Sequence, residues 1–250
     1  MTSVVELMVE NNYSRDFRVL GVIPARGGSK SIPKKNVVDL DGKPLIAYTI
    51  DAAQKAQLLD GCIVSTDCNE IASVAKACGA DVPFIRPGGL ATDFADSFGV
   101  VLHALEFMEN KNQTTYDAVV MLQPTTPFRK AFWIDDALKH LSESELDSIV
   151  SVVDVGANHP YRMYSLDQNK ELVPFIDGVD DPMMPRQKLP PVYIRSGDIY
   201  ATRRNCLLEQ KSLIGRRSGG LIIDPEYAVN IDEPMDLEVA RLKLKELGGV

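Results

Sequence analysis

A glycine- and lysine-rich loop directly after a β-branched run is the feature that most limits how this chain can fold. Residues 19–23 read as a buried strand, and the sequence continues Pro-Ala-Arg-Gly-Gly-Ser-Lys-Ser-Ile-Pro-Lys-Lys-Asn. Glycines let main-chain N–H groups approach an anion closely, and exposed amides complement negative charge. Arg26 and three lysines add full charges. The loop predicts a polyphosphate site, with a spacing that matches neither Walker A nor Gly-x-Gly-x-x-Gly.

Composition narrows the class of ligand. The 250 residues are 45% hydrophobic and 25% charged, which is typical of a globular domain, and the net charge is −8. Such a chain repels nucleic acid and anionic membranes as a whole, so we expect the phosphates to belong to a small molecule. The N-terminus carries acids where a signal peptide is basic, and there is no long apolar run. We therefore expect a cytoplasmic protein with reduced cysteines and no membrane partner.

Strand and helix patterns alternate along most of the chain. We predict strands at 19–23, 62–65, 83–85, 118–122, 148–153, 198–202, 220–223 and 228–231. Helices are predicted at 44–57, 70–78, from 97, at 133–141, and finally over 237–247. The alternation predicts an α/β fold, a doubly wound and mostly parallel sheet of Rossmann-like type. Ligands of such folds collect at the carboxyl ends of the strands.

Two segments depart from this alternation. Residues 1–17 show no clear period, and we treat them as an N-terminal extension before a domain at 18–250. Residues at about 155–195 are rich in proline and lack a helical period, which predicts an inserted β-rich flap.

Four polar clusters follow predicted strand ends. They are Thr66-Asp67, Arg86-Pro87 with the downstream Ala95-Asp-Ser97, Gln123-Pro-Thr-Thr-Pro-Phe-Arg129, and Asn230-Ile-Asp232. Each cluster alone is equally typical of an ordinary turn. Their common position at strand ends indicates one shared site.

With these motifs the chain resembles the cytidylyltransferases that make CMP-sialic acid and related CMP-activated nonulosonic acids. The likeness rests on Ile-Pro-Ala-Arg-Gly-Gly-Ser-Lys at 23–30, Pro-x-Lys-Asn at 33–36, Ser-Thr-Asp at 65–67 and Leu-Gln-Pro-Thr-Thr-Pro-Phe-Arg at 122–129. It extends over roughly residues 19–244. The resemblance implies a nucleotidyltransferase fold and transfer of CMP from CTP to the anomeric hydroxyl of an acidic sugar, with release of pyrophosphate.

The resemblance also implies roles for individual residues. Nucleotide contacts fall on Arg26, Gly27, Gly28, Ser29, Lys30, Lys35, Asn36, Arg86, Ala95 and Ser97. Acceptor contacts fall on Gln123, Arg162, Arg186, Ser196 and Asp198, the two arginines being candidates for the sugar's carboxylate. The catalytic set is Arg26, Lys30, Lys35, Gln123 and Asp232. A homodimer, in which the flap reaches a second subunit, is implied as well.

The chain departs from the family pattern at two places, one in the expected metal site and one near the acceptor sugar. The family commonly has Asp-x-Asp where this chain has Asn230 and Asp232, so the expected Mg²⁺ site loses one negative charge and should bind more weakly. Where sialic-acid enzymes read Arg-Pro-Asn-Gly-Ala, this chain reads Arg-Ser-Gly-Asp at 195–198. This change favours a sugar other than N-acetylneuraminate, such as a legionaminate-like acid.

Two alternatives remain open at this point. The same fold serves nucleotidyltransferases that load a sugar phosphate with UTP or GTP. The second alternative is a nucleotide-binding homologue with impaired catalysis. Asn230 and the altered 195–198 segment are the features that suggest it.

Overall fold

The structure is a computed structural model that describes residues 17–92, 95–178, 181 and 183–248. All but the last residue of the predicted 1–17 extension lie outside the described residues. Within the described part the chain forms a six-stranded central sheet and two small two-stranded sheets. The strands are β1 (Val19–Pro24), β2 (Asp39–Leu40), β3 (Lys43–Pro44), β4 (Gly61–Ser65), β5 (Ala118–Met121), β6 (Ser148–Asp154), β7 (Tyr164–Leu166), β8 (Leu172–Pro174), β9 (Tyr193–Arg203) and β10 (Ser218–Ile222).

The order of strands in the central sheet is β10-β6-β9-β5-β1-β4. Strand β1 pairs in parallel with both neighbours, so that Val22 lies opposite Ile63 on one side and Met121 on the other. Strand β10 is parallel to β6, whereas β9 is antiparallel to both β5 and β6. The prediction of a doubly wound, mostly parallel α/β sheet is confirmed.

Helices cover both faces of this sheet. They are α1 (Leu45–Lys55), α2 (Asn69–Ala77), α3 (Ser97–Asn112), α4 (Ala131–Glu143) and α5 (Pro234–Glu246). Successive residues of β1 point to opposite faces of the sheet. Val19 and Ile23 pack in one core with α1, α2 and α4, and Leu20 and Val22 pack in another with α3. Helix α5 belongs to a third core, formed with residues of α1 and the loop after β1.

Two predicted strands are wrong. Residues 83–85 make only an isolated bridge between Thr66 and Ile85, because Pro83 has no N–H to offer a ladder. Residues 228–231 form a loop whose Val229 and Ile231 are buried against the third core. Buried apolar residues at alternate positions of 228–231 therefore gave the pattern of a strand, although the backbone there is irregular.

The segment between β6 and β9 carries the small β7–β8 hairpin, in which Tyr164 lies opposite Pro174. Its apolar side chains are largely exposed: Leu166, Leu172 and Phe175 keep 66–67% of their surface in solvent. Elsewhere, none of the described helices has the length and apolar character needed to cross a membrane.

Candidate active site

An open cleft of about 430 Å³ lies at the carboxyl ends of β1 and β5, where ligands of doubly wound folds collect. It is lined by Pro24, Arg26, Ser29, Lys30, Ser31, Lys35, Asn36, Arg86, Leu90, Thr92, Ala95, Asp96, Ser97, Val100, Gln123, Pro124, Thr125 and Asp232. Residues from all the polar clusters except Thr66-Asp67 therefore line one cleft. We call it the nucleotide cleft.

The loop after β1 is held in shape by Asp67. The Gly27 amide donates to Asp67 Oδ1 at 2.9 Å, so this amide is already engaged and is not free for a phosphate. A Cβ at Gly27 would lie 2.9 Å from Cys68 Cβ, which makes glycine necessary here. Gly28 has open space around it, and its backbone is accessible.

Two further bonds fix the end of this loop. The Asn36 amide donates to the Arg26 carbonyl oxygen at 2.9 Å, and Asn36 is buried. The Lys35 ammonium donates to the Ile231 carbonyl oxygen and to Asp232 Oδ1, both at 2.9 Å. Lys35 therefore links the loop after β1 to the segment before α5, on one wall of the nucleotide cleft.

Asp232 carries an exposed carboxylate beside this lysine. Its Oδ2 accepts from the Asn230 amide at 2.5 Å, and its backbone amide donates to Asp236 Oδ2 at 2.9 Å. Asp236 also accepts from the Glu233 amide in a capping box at the start of α5, which sets the direction of the chain. Asn230 itself is exposed and does not line the nucleotide cleft.

The described residues contain no group of three or more His, Cys, Asp or Glu side chains placed to hold a metal ion. Mg²⁺ in nucleotide sites usually takes one or two carboxylates, with phosphate oxygens and water completing its shell. Asp232 is a carboxylate on the wall of the nucleotide cleft, and it fits such an ion.

Arg86 is a buried guanidinium with unused donors. Only 4% of the residue is exposed, yet Nε and Nη2 have no hydrogen-bond partner among the described residues. Asp67 is an acidic neighbour of this guanidinium, and its Oδ1 lies 3.6 Å from Arg86 Nη2. Burial lowers the pKa of Arg86, and Asp67 opposes that shift. A buried donor without a partner costs about 1–3 kcal/mol, which an oxygen-rich ligand in the cleft would offset.

The start of α3 forms another part of the wall of the nucleotide cleft. Asp96 caps this helix by accepting from the Gly99 amide at 2.8 Å. Ala95 and Ser97 flank the cap and line the nucleotide cleft. A helix N-terminus carries partial positive charge and unpaired amides, so this wall also favours an anionic or polar ligand.

A second lobe of about 380 Å³ adjoins the nucleotide cleft and shares Ser97 and Gln123 with it. Its lining is Ser97, Phe98, Met121, Gln123, Arg195, Tyr200, Lys211, Ser212, Leu213 and Ile214. Gly197 adopts φ +88, and a Cβ there would lie 3.0 Å from Gln123 Oε1. Only glycine combines this backbone conformation with so close an approach. Gln123 thus stands at the junction of two connected spaces.

Arg129 supports the turn that follows Gln123. Its guanidinium donates to Gln123 O at 2.8 Å, to Thr126 Oγ1 at 2.6 Å, to Thr49 Oγ1 at 2.9 Å and to Asp198 O at 2.7 Å. Burial lowers the pKa of Arg129 to about 10. Arg129 was present in the predicted motif, but no role followed for it from sequence.

Four predicted acceptor residues do not line either space in this chain. The Arg162 guanidinium donates to the Met184 carbonyl oxygen at 3.2 Å within the segment between β6 and β9. Arg186 lines a separate cavity of about 330 Å³. Ser196 and Asp198 are buried inside β9. The Ser196 hydroxyl donates to Ser151 Oγ, and burial raises the pKa of the Asp198 carboxyl.

Known proteins of one enzyme family match most of this chain. A family model described as cytidylyltransferase matches residues 20–210. The chain is 36% identical over 232 residues to the CMP-N,N′-diacetyllegionaminic acid synthase of Legionella pneumophila, covering 92% of this chain and 97% of that protein. It is 32% identical over 229 residues to a pseudaminic acid cytidylyltransferase of Campylobacter jejuni, with 90% and 96% covered.

A third relative is longer. The N-acylneuraminate cytidylyltransferase of Escherichia coli is 34% identical over 224 residues, which cover 89% of this chain. Those residues span about half, 51%, of the length of that relative.

Solved structures agree on the fold. A CMP:2-keto-3-deoxy-manno-octonic acid synthetase in complex with CTP superposes with a TM-score of 0.66 at 21% identity, covering 92% of this chain and 99% of that one. A 4-diphosphocytidyl-2C-methyl-D-erythritol synthase from Anaerococcus prevotii superposes with a TM-score of 0.65 at 10% identity and the same coverage.

Fold and cleft together define the class of this protein, a nucleotidyltransferase enzyme of Rossmann-like architecture. More narrowly, the chain belongs to the cytidylyltransferase family.

Proposed function

We propose that this enzyme transfers CMP from CTP to the anomeric hydroxyl of a sialic-acid-like nonulosonic acid and releases pyrophosphate. The observation that carries the proposal is Arg86, a buried arginine that lines the same cleft as the basic loop and whose Nε and Nη2 have no hydrogen-bond partner among the described residues. The named substrates of the bacterial relatives, which are nonulosonic acids, support the acceptor class.

The reaction needs in-line attack on the α-phosphorus with positive charge around the reacting phosphates. Arg26, Lys30 and Lys35 line the nucleotide cleft and supply that charge to the triphosphate and the leaving pyrophosphate. Gln123, at the junction of the two lobes, is placed to orient the acceptor. Positioning and electrostatics supply the rate, so no covalent intermediate with the protein is required.

Magnesium is proposed as the cofactor, held by Asp232, with Asn230 as a second and weaker ligand. When bound, the ion neutralises charge on the phosphate oxygens. The Lys35 ammonium and the Asn230 amide already contact the Asp232 carboxylate. Asn230 becomes a ligand only if its amide turns to present its oxygen, which is consistent with a weak site.

We also propose a homodimer formed through the segment between β6 and β9. Leu166, Leu172 and Phe175 expose apolar surface there, and contiguous exposed apolar patches mark interaction sites. Arg162 and Arg186 lie in this segment, and such a dimer would bring them to an acceptor bound by the partner subunit. Light scattering is expected to give twice the mass of the chain, and a monomer would contradict the dimer.

The cellular compartment is proposed to be the cytoplasm. All four cysteines are free thiols in the structure, which suits a reducing compartment.

Pyrophosphate release tests the proposed function. The enzyme with Mg²⁺ is assayed with each of the four NTPs against a panel of nonulosonic acids and sugar 1-phosphates. Release with CTP and at least one nonulosonic acid is expected, with a CMP-linked sugar found by mass spectrometry. Preference for UTP or GTP with a sugar phosphate supports the first alternative function. CTP binding without turnover at high Mg²⁺ supports an impaired homologue.

A further inference from the structure

The turn near the end of the loop after β1 has a residue in a conformation that its side chain disfavours. The Lys35 amide donates to the Ile32 carbonyl oxygen at 3.1 Å, which closes a four-residue turn with Pro33 and Lys34 at its centre. Lys34 adopts φ 53 and ψ 35, the left-handed conformation. When proline is second in a turn and the third residue is left-handed, glycine or asparagine is favoured at the third position. A lysine there indicates a compensating contact outside the turn.

Helix α2 supplies this contact. The Lys34 ammonium lies 2.7 Å from Glu70 Oε2 and donates to Glu70 Oε1 at 2.9 Å, and Glu70 lies in the first turn of α2. The hydrogen bond from this side chain and the charge of Glu70 raise the pKa of Lys34. The two side chains are 65% and 50% exposed, and ion pairs as exposed as this contribute little to overall stability. We therefore expect the pair to act on the local shape of the turn.

The ion pair is a second attachment of the loop to the connection between β4 and α2. The first attachment lies near the start of the loop, where the Gly27 amide donates to Asp67 Oδ1. The Lys34–Glu70 pair lies near its end. Residues 29–31, between the two attachments, all line the nucleotide cleft. The same connection thus holds the loop on both sides of the part that meets a ligand.

The two residues that follow Lys34 also line the nucleotide cleft. Lys35 and Asn36 belong to its wall, whereas Lys34 and Glu70 do not. The backbone angles of Lys34 set the direction in which the chain leaves the turn, and hence where the next two side chains point. A change of Lys34 to another conformation would move both of them relative to the nucleotide.

We propose that Lys34 is a positioning residue, whose ion pair with Glu70 holds the turn in the conformation that presents Lys35 and Asn36 to the nucleotide. The inference rests on the proposed function. Lys34 occupies the unspecified position of the Pro-x-Lys-Asn pattern at 33–36, and Glu70 lies outside the motifs, so the sequence resemblance gives neither residue a role.

Steady-state kinetics of Glu70→Gln distinguish positioning from a direct effect of charge. Electrostatics alone would lower the KM for CTP, because the substitution removes a negative charge near an anion site. Loss of the ion pair instead releases the turn, so we expect the KM for CTP to rise about threefold to fivefold. Glu143→Gln removes an exposed glutamate of α4 outside the nucleotide cleft and is the matched control, which should behave as wild type.

Substitutions of Lys34 test the turn itself. Lys34→Ala loses the ion pair but keeps a Cβ in the left-handed conformation, so its KM for CTP should rise as in Glu70→Gln. Lys34→Gly also loses the pair, but glycine adopts this conformation without steric cost, so the rise should be smaller than in Lys34→Ala. The double variant Lys34→Ala/Glu70→Gln should match Lys34→Ala, because the two residues act through one contact.

Urea unfolding separates positioning from loss of the fold. All variants should unfold at the midpoint of wild type, because partial unfolding lowers kcat through the fraction of active enzyme and leaves the KM for CTP unchanged. A KM for CTP that is unchanged or lower in Glu70→Gln overturns the inference while leaving the proposed function intact. An equal rise in Lys34→Ala and Lys34→Gly does the same. Wild type that neither binds nor turns over CTP contradicts the proposed function and this inference together.

Discussion

The Arg129 guanidinium donates to the carbonyl oxygen of Gln123 at 2.8 Å from a fully buried position. The same side chain bonds the Asp198 carbonyl oxygen of β9, so it connects the turn after β5 to the strand that forms the second lobe. The buried Arg129 guanidinium therefore holds together the turn after β5 and the irregular part of β9, where the pairing with β6 shifts register. The geometry around Gln123 therefore depends on a residue that lines neither the nucleotide cleft nor the second lobe.

Removal of this guanidinium is expected to destabilise the fold. Arg129→Met removes one donor to the Gln123 carbonyl oxygen, the donor to the Asp198 carbonyl oxygen, and the positive charge that opposes the burial of the Asp198 carboxyl. Loss of one partner from such a buried network costs about 3–5 kcal/mol. Urea unfolding followed by circular dichroism measures the free energy of unfolding. Arg129→Lys keeps the charge and should lose less, and equal stability of Arg129→Met and wild type would contradict the role.

Asp67 is expected to act on nucleotide affinity through the loop after β1. Asp67→Ala removes the acceptor for the Gly27 amide and the acidic neighbour of Arg86. The loop then loses its fixed shape, and the KM for CTP should rise about tenfold. Asp67→Asn keeps an oxygen for Gly27 and should show a smaller rise. If both variants match wild type in KM for CTP, Asp67 does not position this loop.

The magnesium requirement is expected to fall in Asn230→Asp. A second carboxylate next to Asp232 adds negative charge to the site, and hard cations bind more tightly to such sites. The measurement is the Mg²⁺ concentration that gives half-maximal activity. Asn169→Asp, on the exposed turn between β7 and β8, is the matched control. An unchanged requirement in Asn230→Asp would mean that Asn230 is not a ligand.

Stability is expected to fall at alkaline pH because of Cys62. Burial raises the pKa of the Cys62 thiol to about 12, above its ordinary value of 9.0. Between these values the unfolded chain loses a proton that the folded chain keeps, so the free energy of unfolding decreases as pH rises above about 9. Urea unfolding at pH 7, 9 and 10.5 measures this loss. Cys62→Ala should show a weaker decrease over the same range, and an equal decrease would assign the effect to other groups.

Regular elements of the fold were predictable because their side-chain periods are set by burial. Residues 19–23 and 118–122 are uninterrupted apolar runs, and both form central strands that pair in parallel with each other. The loop at 228–231 shows the limit of this reasoning, since its buried Val229 and Ile231 gave a strand-like pattern without any ladder.

The site was predictable where a motif follows a strand end, and less so elsewhere. Ten of the residues predicted for nucleotide, catalytic or metal roles line the nucleotide cleft, namely Arg26, Ser29, Lys30, Lys35, Asn36, Arg86, Ala95, Ser97, Gln123 and Asp232. Ser196 and Asp198 were placed near the acceptor from the family pattern at 195–198, but both are buried within β9, whose irregular stretch the sequence does not reveal. Lys211 lies in no motif, and only its three-dimensional position brings it to the second lobe.

Titration calorimetry of CTP with wild type and Arg86→Met tests the central claim most directly. The claim is that Arg86 Nε and Nη2, which have no hydrogen-bond partner among the described residues, donate to bound CTP. CTP should bind wild type with one site per chain, and Arg86→Met should bind it at least about tenfold more weakly. Arg241→Met, a half-buried arginine of α5 outside the nucleotide cleft, should bind CTP as wild type does. Equal CTP affinity of Arg86→Met and wild type, or no CTP binding at all, would contradict the account.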